Sequence, residues 1–274
     1  MLGDVVGLLR CPVCRESMSL APGVVRCAAG HSFDVARQGY VNLLEAGQPG
    51  TADTAGMVRA RAELLGSGVY APLADAVAAA AGVGVGPVVE IGAGTAYYLA
   101  AVLDARPGSV GVALDASVPA SRRAAKAHPR AGAVVADAWG ELPLADGCAE
   151  VALVVFAPRG GAEIARVLRP AGRLVVLTPT AEHLRELVVP LGLLGVDERK
   201  GERLHAALDP WFTVDTQAPV TFLVRLDGAQ VVRVAAMGPT AFHVGLDELH
   251  RRVSALTEPI EVTVAVTVTT LTRR

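Results

Sequence analysis

Aromatic residues are scarce: Phe, Trp and Tyr together make up 4% of the 274 residues. That excludes an aromatic-rich sandwich core. It favours tight helix-on-sheet packing, because Ala, Gly and Val dominate a chain that is 52% hydrophobic. An excess of either charge is also missing, with 25 basic against 27 acidic residues and a formal net charge of −2. There is no global electrostatic footprint for nucleic acid, so any RNA contact has to rest on local patches. Long apolar runs are absent too, despite a mean hydropathy of +0.42. The longest uncharged stretch, Ala76–Val89, has 14 residues and is broken by Gly82, Gly84, Gly86 and Pro87, which is too short and too interrupted to cross a bilayer. The start, MLGDVVGLLRC, carries Asp4 and lacks the basic opening and long apolar centre of a signal peptide. These absences predict a cytoplasmic protein with no membrane partner. In that compartment thiols stay reduced, and clustered cysteines point to metal or catalysis before disulfides.

What is present falls into three segments. Residues 1–44 are rich in Cys, Gly and short polar turns, a unit too small to fold on an apolar core alone. Residues 45–86 hold a Gly/Thr/Asp linker, Glu45–Ala55, and two helical patterns, Gly56–Leu65 and Tyr70–Ala81. From residue 87 to 274 short apolar strands alternate with helices. Strands are expected at Val88–Ile91, Val110–Leu114, Ala133–Ala136, Val151–Phe156 and Arg173–Thr178. Helices are expected at Thr95–Asp104, Pro119–His128 and Gly161–Leu168. This alternation implies an α/β fold, a parallel sheet covered on both faces. Thr221–Arg225 and Val231–Ala235 flank Asp227-Gly228 and read as a hairpin. Glu261–Thr270 alternates as a final strand.

Three of only four cysteines fall in one 17-residue window, as C-P-V-C (11–14), 12 residues, then C-A-A-G-H (27–31). Cys11, Cys14, Cys27 and His31 make a four-ligand set of the kind zinc prefers, with two close-spaced turns closing a tetrahedron from opposite sides. No ligand position is left over, so the expected role is structural. Cys148 stands apart and reads as a small apolar side chain.

The stretch V-V-E-I-G-A-G-T-A (88–96) is a strand, an acid and a Gly-x-Gly turn opening a helix. Gly92 and Gly94 allow the sharp turn and the close approach of a ligand. A dinucleotide site carries a further glycine that is missing here. Glu90, just before the loop, suits the amino group of S-adenosylmethionine, whereas it would repel a pyrophosphate. Asp115 ends the next strand, placed for ribose hydroxyls, and Asp137-Ala138 end the third, placed for the adenine edge. All three acids fall at strand C-terminal ends, where open α/β sheets bind ligands. Each could instead be a helix cap, and three in register favour one shared ligand.

With these motifs in view, the sequence resembles the bacterial 23S ribosomal RNA guanine-N1 methyltransferases, the group that includes the tylosin-resistance methyltransferases. The blocks that carry the resemblance are C-A-A-G-H-S-F-D-V-A-R-Q-G-Y-V-N-L-L (27–44), M-V-R-A-R-A-E-L-L-G-S-G-V-Y-A-P-L (57–73), the Gly-x-Gly loop, A-P-R (157–159), T-P-T-A-E-H-L-R-E-L (178–187) and M-G-P-T-A-F-H (237–243). The resemblance implies a Rossmann-like class I methyltransferase with a small N-terminal zinc-binding domain for RNA recognition. It implies S-adenosylmethionine and zinc as cofactors, 23S rRNA as partner and a homodimer. It implies cofactor contacts at Gly94, Thr95, Tyr70 and His183, and matches Cys11, Cys14, Cys27 and His31 to the zinc ligands. The late motif resembles the macrolide-resistance branch. Two departures stand out: G-A-G-T-A replaces a Gly-Cys-Gly-Glu-Gly type of loop, and Phe156-Ala157-Pro158 replaces Tyr-Ala-Pro.

Methylation at guanine N1 must shed a proton, and no residue declares itself as the base; His183 and Asp137 are the candidates. RNA contact needs local cations. Arg10, Arg15, Arg26 and Arg37 outnumber Asp4, Glu16 and Asp34 in the zinc unit, which makes it basic within an acidic chain. Arg59, Arg61, Arg122, Arg123, Lys126 and Arg130 form either a rim to it or ordinary solvated helix faces. Competing readings are a small-molecule methyltransferase that keeps the zinc finger as a structural relic, a catalytically decayed homologue and a non-enzymatic zinc module.

Overall fold

The computed structural model describes residues 1–45, 47–157, 160–193, 195 and 207–274. Pro158 and Arg159 of the A-P-R motif lie outside them. The chain opens with helix α1 (Leu2–Val5). A three-stranded antiparallel sheet follows, β1 (Met18–Ala21), β2 (Val24–Cys27) and β3 (Ser32–Asp34). The second sheet has eight strands: β4 (Tyr40–Asn42), β5 (Val88–Ile91), β6 (Gly111–Asp115), β7 (Ala131–Val135), β8 (Ala149–Val155), β9 (Leu168–Pro179), β10 (Phe212–Leu226) and β11 (Ile260–Arg273). Their spatial order is β10-β11-β9-β8-β5-β6-β7-β4. The strands from β9 to β4 pair in parallel, and β11 runs antiparallel to both β9 and β10. Without β4, this is the class I methyltransferase sheet, with its one reversed strand.

Strands β5 and β7 are buried at every position, as parallel strands covered on both faces must be. One face carries α3 (Ala71–Ala81), α4 (Tyr97–Ala105) and α5 (Val118–Ala124), packed through Leu73, Leu99, Leu103 and Ala124. Near the far edge, α2 (Ala55–Gly66), α7 (Arg185–Leu191), α8 (Gly228–Ala236) and α9 (Leu246–Val253) enclose a smaller cluster around Leu64, Leu191, Val231 and Leu249. Local signals set the helix starts. Thr54 accepts the Met57 N–H at 3.3 Å to cap α2, and Ser117 accepts the Ala120 N–H at 3.2 Å to cap α5.

The other face carries α6 (Gly161–Val167) and the zinc unit in one continuous apolar cluster, where Leu2, Val5, Leu9, Cys11 and Cys27 join Ile91, Val134, Leu144 and Ile164. The attachment is specific. Strand β4 pairs with β7 from Tyr40↔Ala133 to Asn42↔Val135. The Arg10 N–H donates to Pro143 O at 3.0 Å, and Ala145 N–H to Leu8 O at 2.8 Å. Arg15 donates to the carbonyls of Leu142 (3.0 Å) and Leu144 (3.1 Å). A Cβ on Gly132 would lie 2.3 Å from Val5 Cγ2, so only glycine lets α1 lie against β7. An N-terminal unit too small for its own core has borrowed one.

The expected hairpin at Asp227-Gly228 is corrected. The strand runs back to Phe212, and Val231–Ala235 belongs to α8. Asp227 accepts the Gln230 N–H at 2.7 Å while its own N–H donates to Gln230 Oε1 at 3.0 Å, a reciprocal capping box. V-V-R-V-A-A has no period strong enough to separate helix from strand, and D-G-A-Q was the deciding signal. The helix expected at Pro119–His128 is shorter, ending at Ala124 before a turn. Among the described residues no single helix is long and apolar enough to cross a membrane.

Candidate active site and zinc centre

Two tight turns present the metal-type ligands. After Cys11 the chain reverses, with Cys11 N–H donating to Glu16 O at 3.0 Å, Arg15 N–H to Cys11 O at 2.9 Å, and Arg15 in the left-handed region at φ 63°. Cys27 N–H donates to His31 O at 3.0 Å around Gly30, whose φ is 91°. The donor atoms converge, with Cys14 Sγ to Cys27 Sγ at 3.7 Å, Cys11 Sγ to His31 Nδ1 at 3.6 Å and Cys27 Sγ to His31 Nδ1 at 3.4 Å. All four lie within 4.8 Å of one another. A zinc tetrahedron with ordinary bond lengths has edges of about 3.6–3.8 Å, so these residues fit the ion, with His31 offering Nδ1. Four protein donors complete the shell, which makes the site structural.

The Gly-x-Gly loop leaves β5 with Gly92 at φ 69° and Gly94 at φ 54°. Asp115 holds it: Oδ2 accepts the Gly94 N–H at 2.7 Å and Oδ1 accepts the Ser117 N–H at 2.8 Å. Glu90 lies beneath the loop, 1% exposed, with Oε2 accepting the Leu99 N–H at 3.1 Å in the first turn of α4. Burial, with Asp115 nearby, pushes the Glu90 carboxyl up to about 8.

Beside this loop a cavity of about 480 Å³ opens over the C-terminal ends of β5, β8 and β9. Of the predicted site residues, Tyr70, Glu90, Gly92, Thr95 and His183 line it. Gly94, Asp115, Asp137 and Ala138 do not. The Ala136 N–H donates to Asp115 O at 3.1 Å, so Asp115 and Asp137 come off neighbouring strands. Asp137 Oδ1 accepts the Trp139 N–H at 2.9 Å. Tyr70 is 2% exposed, and its buried hydroxyl has no hydrogen-bond partner among the described residues. Its ring centroid lies 6.3 Å from that of His183, which in turn is 5.7 Å from Phe156. His183 Nδ1 accepts the Ala265 N–H at 3.2 Å, so the neutral ring carries its proton on Nε2. Burial lowers its pKa to about 4, which keeps the ring neutral.

Sequence reasoning named neither Met237 nor Thr240 as a site residue, and knew Phe156 only as the departure from Tyr-Ala-Pro that loses a hydroxyl near the target pocket; all three line the cavity. Phe156 stands at φ 52°, a conformation non-glycine residues adopt mainly where the surroundings force it. Each lies in a motif already noted, F-A-P or M-G-P-T-A-F-H, and that was the available signal. The basic residues divide. Arg15 pairs with Glu141 at 2.9 Å besides its two carbonyls, and Arg130 donates to the carbonyls of Leu103, Arg106 and Ser109. Arg10 donates to Leu9 O at 2.9 Å. Arg26, Arg37, Arg59, Arg122, Arg123 and Lys126 are exposed.

The model of the RlmA N-terminal zinc ribbon matches residues 9–48. A 23S rRNA (guanine(748)-N(1))-methyltransferase of Streptomyces fradiae is 50% identical over 274 residues, spanning 98% of this chain and 98% of the relative. A relative from Micromonospora griseorubida, provisionally named as a 23S rRNA (guanine-N1)-methyltransferase, is 50% identical over 284 residues, spanning 96% of each chain. Among solved structures, a SAM-dependent methyltransferase from Thiobacillus denitrificans in complex with S-adenosyl-L-homocysteine is 16% identical, with a TM-score of 0.49 over 73% of this chain and 90% of that one.

Proposed function

This chain belongs to the 23S rRNA (guanine-N1)-methyltransferase family, and we propose that it transfers the methyl group of S-adenosylmethionine to N1 of a guanine in a 23S rRNA hairpin loop. The observation that carries this is the end-to-end 50% identity to the Streptomyces fradiae enzyme. The cavity beside the Gly-x-Gly loop, with a buried acid and an unpartnered Tyr70 hydroxyl, supports it. We further infer a role in macrolide resistance, a homodimer as the family resemblance implies, and a cytoplasmic location that suits the four free cysteines. Three functional segments fit this reading: 1–44 for zinc and RNA recognition, 45–86 as linker and helices, and 87–274 for methyl transfer.

When bound, the cofactor supplies a methyl group already activated on a sulfonium. The chain's own part is placement. Gly92 and Gly94 let the backbone close on the ligand, with Thr95 beside them. Glu90 faces its ammonium, and Asp115 and Asp137-Ala138 attend to the ribose and adenine. Tyr70 brings a hydroxyl that needs a partner. His183, with Nδ1 occupied, offers the Nε2–H as a donor. Phe156, 42% exposed, offers a ring on which a base drawn out of an RNA loop can stack. With the His183 Nε2 carrying a proton and Asp137 outside the cavity lining, we assign the N1 proton to neither candidate base: it leaves to water, and the acceleration comes from holding N1 in line with the methyl.

Primer extension on 23S rRNA incubated with the protein and S-adenosylmethionine tests the proposal. A methyl on N1 blocks base pairing, so a cofactor-dependent stop beside one hairpin-loop guanine is expected. No stop at any guanine overturns it.

A further inference from the structure

Arg61 belongs to helix α2, between the zinc unit and the methyltransferase core, yet it reaches into the cavity beside the Gly-x-Gly loop. Its Nη2 forms an ion pair with Asp53 at 2.8 Å and donates to Met237 O at 2.8 Å. A guanidinium has five N–H donors in a rigid fork. Among the described residues, Nε and Nη1 make no hydrogen bond. The Nη1 end points at the loop: a Cβ on Gly94 would sit 2.9 Å from Nη1 and 3.6 Å from Cδ. Glycine at 94 therefore leaves room for the guanidinium as well as permitting the turn.

The charges lining the cavity are few. Among the described lining residues Arg61 is the one cation and Glu90 the one carboxylate, since His183 is held neutral. A zwitterionic amino-acid group needs one of each sign, and Glu90 accounts for the ammonium alone. We propose that Arg61 binds the carboxylate of the cofactor's amino-acid end through its free Nη1 edge, while Asp53 and Met237 O fix the guanidinium from behind. The inference rests on the cofactor assignment above and adds a residue to it. A guanidinium suits this task because its fork matches a carboxylate, and a charge-assisted bond inside a partly closed cavity is strong.

The test is calorimetric titration of the zinc-loaded full chain with two ligands, S-adenosylhomocysteine and S-adenosyl-3-thiopropylamine, which differ only in the carboxylate. The wild type is expected to bind the carboxylate-bearing ligand about ten- to a hundredfold more tightly. Arg61→Met should erase that preference and keep the wild-type affinity for the amine, which also shows that the variant is folded. Arg61→Gln, which retains a donor for Met237 O, provides a second variant with the same expected outcome. A variant that weakens both ligands alike would mark Arg61 as a strut between α2 and residue 237, and overturns the proposal. An undiminished preference overturns it too. A wild type that binds neither ligand instead sinks the cofactor assignment, so the two failures are separable.

Discussion

Replacing Glu90 with Gln should make the cofactor-free protein more stable in mildly alkaline solution while weakening its hold on the cofactor. Glu90 is 1% exposed, and burial raises its carboxyl from 4.5 to about 8. Between those values the folded chain keeps a proton that the unfolded chain has released. Stability therefore falls as pH rises through that window, by at most about 5 kcal/mol at 1.36 kcal/mol per unit. Glutamine still offers an oxygen to the Leu99 N–H and has no charge to desolvate, so Glu90→Gln removes the loss. Urea unfolding of the cofactor-free, zinc-loaded protein should find wild type and variant close at about pH 5 and the variant ahead by a few kcal/mol at about pH 8.5. The cofactor's ammonium needs the ionised carboxylate, so binding to wild type near neutrality should expel about one proton, seen as a dependence of the calorimetric enthalpy on buffer ionisation. In Glu90→Gln that release should vanish, and affinity should fall about tenfold or more. Parallel stability–pH curves for the two proteins, with no proton release in wild type, would refute the reasoning.

Two further outcomes follow from the shared core. Cys27→Ser, or removal of zinc by a chelator, should destabilise the whole protein by an amount on the order of several kcal/mol and lower its single melting temperature, because Cys11 and Cys27 pack in the same cluster as Val134 and Leu144. A calorimetric trace with a separate early transition and an unmoved main peak would count against that coupling. Gly132→Ala places a methyl 2.3 Å from Val5 Cγ2 and 3.3 Å from Leu2 Cα, and should cost about 1–3 kcal/mol. Adding Val5→Ala should recover part of this in urea melts. Failure of the second change to help would show that α1 does not press on β7.

The zinc ligands and the parallel strands were legible because their signals are local. A two-residue gap between thiols acts within one turn, and a run such as Val88–Ile91 is apolar throughout because both faces of its strand are covered. The capping box at Asp227 is equally local, but Asp-Gly also favours a hairpin, so two local signals compete there. Other features had no local signal. Strand β4 pairs with β7 across some 90 residues of chain, and nothing in Y-V-N marks a sheet edge. Asp115 reads as a ribose ligand, and nothing in its spacing shows that each of its oxygens also accepts a backbone N–H, from Gly94 and from Ser117, and so holds the loop. The basic residues of the zinc unit look alike in sequence, but Arg15 is committed to Leu142, Leu144 and Glu141 while Arg26 and Arg37 are exposed and, among the described residues, make no such contacts.

The sequence by itself determined the metal ligands, the α/β alternation, the glycine turn and the family. Each depends on residue identity at short spacing, where backbone geometry leaves few choices. Only the tertiary structure decided that the zinc unit is no separate bead but part of one core. It also decided which acids and cations share a cavity, Arg61 and Glu90 among them. Those facts depend on side chains meeting across long stretches of chain, where burial and partner geometry, not sequence spacing, set the outcome.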